Sequence, residues 1–348
     1  MPDYTVGWGV GGAHLKVALV DGAGRVCKAM QLPCPLWQGL QHLDSAVAQA
    51  LKNLNQPAAL HALTMTGELA DIFPNRSAGV TALVEAMNGK LPHASLQVYA
   101  GRSGFVTPSQ AKQHIGDVAS ANWLATAEFT AQRVRQALLM DIGSTTTDLV
   151  LLISGKVHAR GWNDHQRMAC DELIYSGVVR TPVMAVAVRV PFAGEWQGLM
   201  AEQFATMADV YRLTGDLPEG ADQLPAADGA GKTMQDSARR LARMLGRDLE
   251  SAPLSSWQWL AGYIADLQQQ RFHEACSRLF SMGLAGEEAP LIGTGIGRFL
   301  VKTLASRYAR PYLDFSGLVD SSLNDRQWID ACASAVAVAA LAQSRMRE

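Results

Sequence analysis

The chain has 348 residues, about twice the length of an average domain, so two domains that share a cleft are the first expectation. Lys and Arg number 30 against 32 Asp and Glu, a net charge of −2 that argues against a basic nucleic-acid groove and a polybasic membrane patch. Apolar residues make up 48% of the chain and charged residues 18%, which is enough to build a large core and unlike a disordered protein.

Signals for targeting, disulfides and zinc are missing from the sequence. The N-terminus lacks the basic start and apolar run of a signal peptide, and no stretch has the roughly 18 consecutive apolar residues that a membrane span needs. The 5 cysteines include no C-x-x-C pair, and the 8 histidines lack zinc spacing. These features predict a soluble, cytoplasmic protein with reduced thiols that binds a small molecule.

The sequence pattern in the first part of the chain predicts alternating strands and helices. Three strands joined by two turns are expected over residues 4–32, because apolar runs there are interrupted by glycine-rich segments such as residues 21–24 (DGAG). Apolar residues at helical spacing follow. The next predicted elements are a helix, a strand, a helix, a strand and a helix over residues 37–53, 60–66, 80–88, 97–100 and 115–124.

The pattern of the N-terminus begins again near residue 137. Residues 8–16 (WGVGGAHLK) align with residues 140–148 (MDIGSTTTD), which places Gly11 on Gly143, and both segments continue into an apolar strand and a turn. Such a repeat predicts two related lobes, each opening with a β-hairpin whose tight turn faces a shared cleft. We therefore expect an N-terminal lobe over 1–132 and a C-terminal lobe over 133–348.

The second lobe is predicted to hold a helical insertion and a third glycine turn. Residues 214–232 (TGDLPEGADQLPAADGAGK) indicate a long surface loop, of a length that functional lids often have. Three helices, a short buried strand that enters a glycine turn, and two more helices are predicted over residues 234–245, 257–269, 272–282, 290–297, 298–308 and 325–344.

The three glycine turns are suited to bind phosphate. A phosphate needs several N–H donors that converge, and a turn without large side chains lets the backbone come close enough to supply them. Each turn alone is typical of an ordinary hairpin, but two matched copies and a third glycine turn favour phosphate. The predicted phosphate contacts are Gly11, Gly12, Ala13, Gly143, Ser144, Thr145, Thr146, Gly293, Thr294 and Gly295.

Charged residues flank the hairpin turns. Asp141 and Asp148 end and begin successive strands, so a hairpin would bring both to one pocket, where carboxylate oxygens suit Mg²⁺ directly or through water. For Asp148 the alternative that it pins the turn by hydrogen bonds stays equally open. Lys16, in register with Asp148, is expected to reach a phosphate oxygen or to be a solvated strand lysine.

Further candidates lie at predicted strand ends. Glu68 follows a buried strand and is a candidate general base, against the alternative of a charge at a helix N-terminus. Arg180 precedes the apolar run 183–188 and is expected at a strand entrance, where it suits an anion better than a surface ion pair. His14 lies inside the first hairpin and is the one histidine expected at the site.

A segment that resembles a nucleotide-binding loop is rejected. Residues 226–233 (AADGAGKT) look like a Walker A motif without its first glycine. That motif requires a preceding buried strand, whereas a Pro-rich polar loop precedes this one. Lys232 is expected to touch phosphate only if the loop closes over the site.

The two hairpins with the distal turn (residues 293–297, GTGIG) resemble the superfamily of acetate and sugar kinases, Hsp70 and actin. Residues 140–151 (MDIGSTTTDLVL) resemble its hydantoinase/oxoprolinase branch. Four segments are similar to the tetrahydromethanopterin-linked C1-transfer pathway proteins of methylotrophs and methanogens, over residues 11–16, 64–71, 122–123 and 172–182. The similarity spans nearly the whole chain.

The resemblance implies an α/β fold with two ribonuclease H-like lobes around a central cleft, the actin-like ATPase fold. It also implies a methanofuran or methylofuran biosynthesis transferase that joins an aminomethylfuran-methyl diphosphate to the phenol of a γ-glutamyltyramine- or tyrosine-type acceptor and releases diphosphate. Catalytic roles are then expected for Glu68, Asp148 and Lys16. Substrate contacts are expected from His14, Asn122, Arg180 and Thr181, and Mg²⁺ is expected at Asp141 and Asp148.

One position departs from the pattern, and two other functions stay open. Superfamily and repeat both predict an aspartate where the chain has Gly9, and the missing carboxylate should weaken Mg²⁺ binding. An ATP-dependent kinase or oxoprolinase-type hydrolase would place residues 293–297 against adenosine, with ATP as its cofactor. A non-catalytic binding protein of the same fold is the other alternative. The sequence leaves the acceptor, the base and the oligomeric state open, a homodimer included.

Overall fold

The computed structural model describes residues 4–56, 58, 60–91 and 95–346. Its strands are β1 (Tyr4–Val10), β2 (His14–Asp21), β3 (Val26–Pro33), β4 (Leu60–Met65), β5 (Ser95–Tyr99), β6 (Phe105–Val106), β7 (Gln136–Ile142), β8 (Thr147–Ile153), β9 (Lys156–His158), β10 (Leu173–Ile174), β11 (Arg189–Phe192), β12 (Glu195–Gly198), β13 (Leu291–Thr294) and β14 (Tyr312–Asp314).

Helices connect and cover these strands. They are α1 (Gln41–Leu54), α2 (Arg76–Lys90), α3 (Pro108–Ala111), α4 (Ile115–Val118), α5 (Asn122–Ala131), α6 (Asp164–Ala169), α7 (Met207–Thr214), α8 (Met234–Met244), α9 (Leu254–Phe280), α10 (Arg298–Arg307), α11 (Gln327–Ala331) and α12 (Ala333–Arg345). Short 3₁₀ helices occupy Leu36–Gln38, Gly67–Leu69, Gly101–Ser103, Val183–Ala185, Leu249–Ser251 and Phe315–Leu318.

The first sheet has the order β3-β2-β1-β4-β5-β6. β1, β2 and β3 are antiparallel neighbours, and β4 runs parallel to β1. Side chains alternate along β1: Val6, Trp8 and Val10 share a core with α1 and α2. The opposite face receives α12, which comes so close that a Cβ on Gly7 would lie 1.9 Å from the Ala335 carbonyl oxygen. Glycine is therefore required at that position.

The second sheet repeats the opening hairpin of the first. Its order is β10-β8-β7-β13-β14, with β9 paired to β8. Leu138 and Met140 of β7 face an outer core formed with α7, α8, α9 and α10, while Ala137 and Leu139 face the first sheet. This alternation gives the sheet two buried faces and directs one of them at the middle of the molecule.

Two helices fill the space between the sheets. α12 packs on β1, β2 and β4, although it lies at the end of the chain, and α5 packs on β7, β8 and α12. Each lobe thus lends a helix to the interface with the other. In the sequence, the strands of the first sheet all precede the predicted boundary between residues 132 and 133, and those of the second sheet all follow it. The division into two domains at this boundary stays a prediction.

Several predicted elements differ from the structure. The helix predicted over 115–124 is two helices, because Ser120 has a left-handed φ of 53°. The helices predicted over 257–269 and 272–282 are one continuous helix, α9. The strand expected after Arg180 is wrong, since Val183–Ala185 form a 3₁₀ helix and the next strand begins only at Arg189.

Other predictions agree with the structure. The long loop is confirmed, because no helix or strand lies between α7 and α8. The last predicted helix is present, divided at Cys332 into α11 and α12. All five cysteines are free. Within the described part of the chain, none of the helices is long and apolar enough to cross a membrane.

Candidate active site

A cavity of about 680 Å³ lies between the two lobes. The turns of both hairpins line it, and so do Asn122 and Ser334, in the first turns of α5 and α12. Helix N-termini carry partial positive charge, so both interlobe helices favour an anion at this position. Residues from the loop between α7 and α8 complete the wall. The cleft predicted from the repeat is therefore present.

The first hairpin turn presents unpaired backbone donors to the cavity. The Gly11 N–H donates to the His14 carbonyl at 2.9 Å and closes the turn. The Gly12 carbonyl accepts from the Leu36 N–H at 3.0 Å, so the Ala13 N–H, on the other side of the same trans peptide, points away from that contact. The N–H groups of Gly12 and Ala13 have no acceptor among the described residues.

The second hairpin turn has the same construction. The Gly143 N–H donates to the Thr146 carbonyl at 2.9 Å, and the Ser144 carbonyl accepts from the Arg180 N–H at 2.8 Å. In the described structure the N–H groups of Ser144, Thr145 and Thr146 remain without acceptors. The Ser144 hydroxyl is also buried without a partner. Both turns thus offer donors to one polar ligand.

Gly177 holds the second turn in place. A Cβ on Gly177 would lie 2.5 Å from the Gly143 carbonyl oxygen and 2.5 Å from the Thr145 nitrogen, so only glycine lets this segment pack against the turn. The Gly177 N–H donates to the Thr181 hydroxyl at 2.7 Å. Thr181 is buried and does not line the cavity. The predicted substrate contact of Thr181 is therefore replaced by a role in supporting the turn.

Strand pairing confirms the alignment of the two repeats. Gly9 pairs with Lys16 across the first hairpin, and Asp141 pairs with Asp148 across the second. Gly9 therefore stands where the second lobe has Asp141, and Lys16 where it has Asp148. All four residues line the cavity.

Asp148 is already neutralised by a residue that sequence reasoning missed. The Arg167 guanidinium donates to Asp148 Oδ1 at 2.5 Å and to the Glu172 carbonyl at 2.9 Å, and it stacks on the Trp123 ring at 3.7 Å. Burial raises the pKa of Asp148 to about 6, and Arg167 opposes that rise. The pairing argues against Asp148 as a direct metal ligand, and Arg167 is its partner instead of the backbone of the turn, which the alternative predicted. Nothing in the sequence near Arg167 signals this contact, which spans two elements.

Asp141 fits the expected metal better. It lines the cavity and has no ion pair among the described residues, its unpartnered Oδ1 lies beside Gly295, and burial raises the pKa of the carboxyl while the charge of Lys16 lowers it. Mg²⁺ usually takes one or two carboxylates, water and substrate phosphates. Asp141 alone would supply one such carboxylate, and the described residues contain no cluster of three or more metal-ligating side chains.

Two cations without ion pairs face the cavity from opposite lobes. Lys16 comes from β2, and Arg180 follows the segment that supports the second turn. Neither has a carboxylate within ion-pair distance in the described part of the chain. Arg180 stacks on the Trp37 ring at 4.4 Å, and burial lowers its pKa. Burial, Lys16 and Arg180 lower the pKa of His14 to about 3, so its imidazole is neutral and its buried Nε2 lacks a partner.

The third glycine turn does not reach the cavity. Gly293, Thr294 and Gly295 are buried, and none of them lines it. The Thr294 hydroxyl and the Gly295 N–H both donate to the Asp330 carbonyl, at 2.9 and 3.0 Å. Gly295 has φ +79°, and a Cβ there would lie 2.4 Å from Asp141 Oδ1. This turn therefore packs against Asp141, and its predicted phosphate contacts are replaced by support for that carboxylate.

Glu68 lies behind the cavity wall. It is completely buried and does not line the cavity, whereas the neighbouring Leu69 and Asp71 do. Its Oε1 bonds to the Ser120 hydroxyl at 2.8 Å, and Oε2 has no partner. Burial raises the pKa of Glu68. The predicted base is thus separated from any substrate by Ser120, which does line the cavity.

The loop between α7 and α8 closes one side of the cavity with residues 222 and 224–227. Lys232 donates to the Asp222 and Leu224 carbonyls at 2.8 and 2.5 Å and pairs with the Asp222 carboxylate at 3.2 Å. Lys232 therefore shapes the loop and does not line the cavity, which agrees with the rejection of a Walker A motif.

A solved structure shares this fold. Nucleotide-free acetone carboxylase, solved in work on ATP-dependent acetone carboxylation, superposes with a TM-score of 0.61 at 10% identity, over 97% of this chain and 70% of that chain. The predicted α/β fold with two lobes around a central cleft is confirmed.

Sequence comparison identifies relatives. Residues 60–310 match the hydantoinase/oxoprolinase family. The (4-{4-[2-(γ-L-glutamylamino)ethyl]phenoxymethyl}furan-2-yl)methanamine synthase of Methanocaldococcus jannaschii is 32% identical over 251 residues, 72% of this chain and 74% of that protein. The synthase of the same name from Methanococcus vannielii is 30% identical over 124 residues, 35% of this chain and 55% of that protein. The chain belongs to the hydantoinase/oxoprolinase family, in the group that contains these methanamine synthases.

Proposed function

We propose that the protein condenses an aminomethylfuran-methyl diphosphate with the phenol of a γ-glutamyltyramine- or tyrosine-type acceptor, and releases diphosphate. One observation carries this proposal. Free N–H groups of two hairpin turns and the unpaired cations Lys16 and Arg180 converge on one cavity from opposite lobes. The names of the related synthases, which describe a phenoxymethyl furan, support the choice of substrates.

The chemistry requires the protein to stabilise a leaving group and to orient a nucleophile. The bond between the furfuryl carbon and the diphosphate oxygen breaks readily, because the furan ring delocalises positive charge at that carbon. Fixed donors aimed at the departing diphosphate lower the barrier without reorganisation. The hairpin amides meet this need because neighbouring segments hold their carbonyls. Binding both substrates in one cavity supplies the proximity.

Lys16 and a Mg²⁺ ion held by Asp141 would together neutralise the negative charge of the diphosphate at the centre of the site. Mg²⁺, when bound beside Asp141, would neutralise part of the diphosphate charge. Lys16 lies close enough to lower the pKa of Asp141 and offers a point charge to a phosphate oxygen. The buried third turn supports a diphosphate ester over ATP, because residues 293–295 offer no surface to adenosine.

The reaction itself tests the proposal. Purified protein is incubated with the furan diphosphate and with tyramine-type or tyrosine-type acceptors, with and without ATP, and diphosphate release and ether formation are measured. We expect acceptor-dependent release that ATP does not change. Release that requires ATP would favour the kinase or hydrolase alternative, and no turnover with any diphosphate would favour a binding protein. The variant Lys16→Met serves as the matched inactive control.

A further inference from the structure

Three side chains, those of Glu68, Ser120 and Asp164, form a hydrogen-bonded series that leads from the protein interior to the cavity. The Ser120 hydroxyl lies 2.8 Å from Glu68 Oε1 and 3.1 Å from Asp164 Oδ2. Glu68 and Ser120 precede the strands of the second sheet in the sequence, whereas Asp164 begins α6, which lies between β9 and β10 of that sheet. Ser120 and Asp164 both line the cavity. These three hydrogen-bonded side chains therefore connect the two lobes at the cavity.

The hydrogen bonds among Glu68, Ser120 and Asp164 limit where the protons can lie. A serine hydroxyl carries one proton, so it donates to only one of the two carboxyl groups and must accept from the other. A hydrogen bond at both contacts therefore requires one of the carboxyl groups to be protonated. Both would otherwise direct negative lone pairs at the same oxygen, an arrangement that burial makes costly.

The surroundings identify Glu68 as the neutral partner. Its side chain is completely buried, its Oε2 has no hydrogen bond, and burial raises its pKa. Asp164 by contrast forms an ion pair with the Arg76 guanidinium. A protonated Glu68 donates to Ser120, and Ser120 then donates to Asp164.

The same contacts leave one oxygen of Asp164 available. Arg76 and Ser120 both bond to Oδ2, whereas Oδ1 has no partner among the described residues. The other titratable groups that face this carboxylate are Glu68, Tyr175 and Asp148. Tyr175 lines the cavity as well and is 52% exposed. Asp164 thus presents a carboxylate held by Arg76 and Ser120 to a ligand in the cavity.

We propose that Asp164 is the base that accepts the proton of the phenolic acceptor, with Ser120 and the neutral Glu68 as the residues that position it. The inference rests on the proposed function. As the phenol oxygen forms its bond to the furfuryl carbon, the bond from that carbon to diphosphate breaks with its electron pair, and the phenolic proton passes to Asp164 Oδ1. Water then takes the proton when the products leave.

Acceptors of different acidity test the role of Asp164. We expect Asp164→Asn to lower kcat by about 100-fold with an ordinary phenol, the size of effect typical of general base catalysis. Fluorinated acceptors, whose phenol is ionised at the assay pH, should recover most of that loss because they need no base. The control Asp171→Asn removes a carboxylate that pairs with Arg278 at 3.0 Å outside the cavity, and should leave kcat unchanged. An equal loss of activity with all acceptors would overturn the assignment.

Variants of Glu68 test the positioning role. The amide of Glu68→Gln donates a hydrogen bond to Ser120 as a protonated carboxyl does, so this variant should retain much more activity than Glu68→Leu. If Glu68 itself were the base, both variants would be equally impaired. Infrared spectroscopy provides a readout that is independent of turnover. Burial also raises the pKa of Asp141, so the difference spectrum between wild-type protein and Glu68→Gln at neutral pH is the informative one, and it should contain the band of one protonated carboxyl.

The outcomes separate this inference from the proposed function. If wild-type protein forms no ether from any furan diphosphate, the proposed function fails. If ether forms but the activity of Asp164→Asn equals that of Asp171→Asn, only the inference fails. Absence of the protonated-carboxyl band from the difference spectrum between wild-type protein and Glu68→Gln overturns the proton assignment whether or not the protein turns over.

Discussion

The Arg180 guanidinium lies in surroundings that suit the binding of an anion. Its guanidinium is partly buried, stacks on Trp37 and has no ion pair in the described structure. A hydrogen bond to a charged group contributes about 1.5–3 kcal/mol. We therefore expect Arg180→Gln to weaken binding of inorganic diphosphate about 10- to 100-fold. Isothermal titration calorimetry measures the affinity, and quenching of Trp37 fluorescence reports binding at this position.

A matched control distinguishes local binding from net charge. Arg271 is exposed on α9 and does not line the cavity. The variant Arg271→Gln removes the same charge and should bind diphosphate as the wild type does. Equal weakening in both variants would show that the cavity does not bind the anion through Arg180.

Gly9 is one of two aligned positions at which the hairpins of the two lobes differ in charge, and Lys16 is the other. It pairs with Lys16 as Asp141 pairs with Asp148, and a Cβ at this position would lie 3.1 Å from the Ser334 hydroxyl. An aspartate therefore fits after a small shift of Ser334. We expect Gly9→Asp to raise activity at limiting Mg²⁺, because a second carboxylate strengthens the metal site. Rates equal to wild type across a Mg²⁺ titration would contradict this expectation.

At the level of elements, the second hairpin turn depends on the segment packed beneath it. A methyl group on Gly177 would overlap the backbone of Gly143 and Thr145, which cannot move without breaking the turn. We expect Gly177→Ala to destabilise the protein by about 1–3 kcal/mol and to abolish diphosphate binding. Chemical denaturation and calorimetry measure the two effects. Gly262→Ala in α9, where a Cβ meets nothing within 4 Å, should be at least as stable as wild type and bind normally.

Local patterns in the sequence were sufficient to predict the two hairpins and their register. The turns are short, their glycines are required by backbone geometry, and each pair of strands lies within about 20 residues. This is why the correspondence of Lys16 with Asp148 is confirmed by the strand pairing. The same patterns could not show that Arg167 neutralises Asp148, because that contact depends on how α6 packs against β8.

Predictions about the third turn and Glu68 were incomplete for a related reason. Glycines mark a turn, but they do not reveal which side of it faces solvent. In the structure Gly295 faces Asp141, so the turn supports the site from behind. Glu68 does follow a strand, yet Ser120 stands between it and the cavity. Ser120 occupies a break between two helices that the periodicity joined into one.

At the scale of the whole molecule, apolar packing, a hydrogen bond and an ion pair hold the two lobes together around the cavity. α5 and α12 form a shared apolar layer between the sheets. The loop between α7 and α8 reaches the first sheet, where the Gln223 amide donates to the Gln31 carbonyl at 3.2 Å. The contact of Arg76 with Asp164 adds an ionic link across the cleft. Residues of both lobes therefore keep fixed positions around one ligand.

The stability of this assembly is expected to depend on pH through a histidine in its central strand. His61 of β4 is 1% exposed, its Nδ1 accepts from the Trp8 indole at 3.1 Å, and burial lowers its pKa to about 4. The unfolded chain binds a proton near pH 6.5, whereas the folded chain does not. The neutral form therefore contributes its full stability above pH 6.5, and that stability is lost as the pH falls from 6.5 towards 4.

Replacement of His61 should make this loss smaller. In His61→Gln the side-chain carbonyl can still accept from Trp8, but no proton binds on unfolding. We expect the free energy of unfolding of the variant to fall less steeply between pH 6.5 and 4.5, by up to about 1.4 kcal/mol per pH unit. Urea titrations at a series of pH values measure the slope. His165→Gln, at an exposed position, should keep the wild-type slope. Parallel pH profiles for wild type and His61→Gln would show that His61 is not the group responsible.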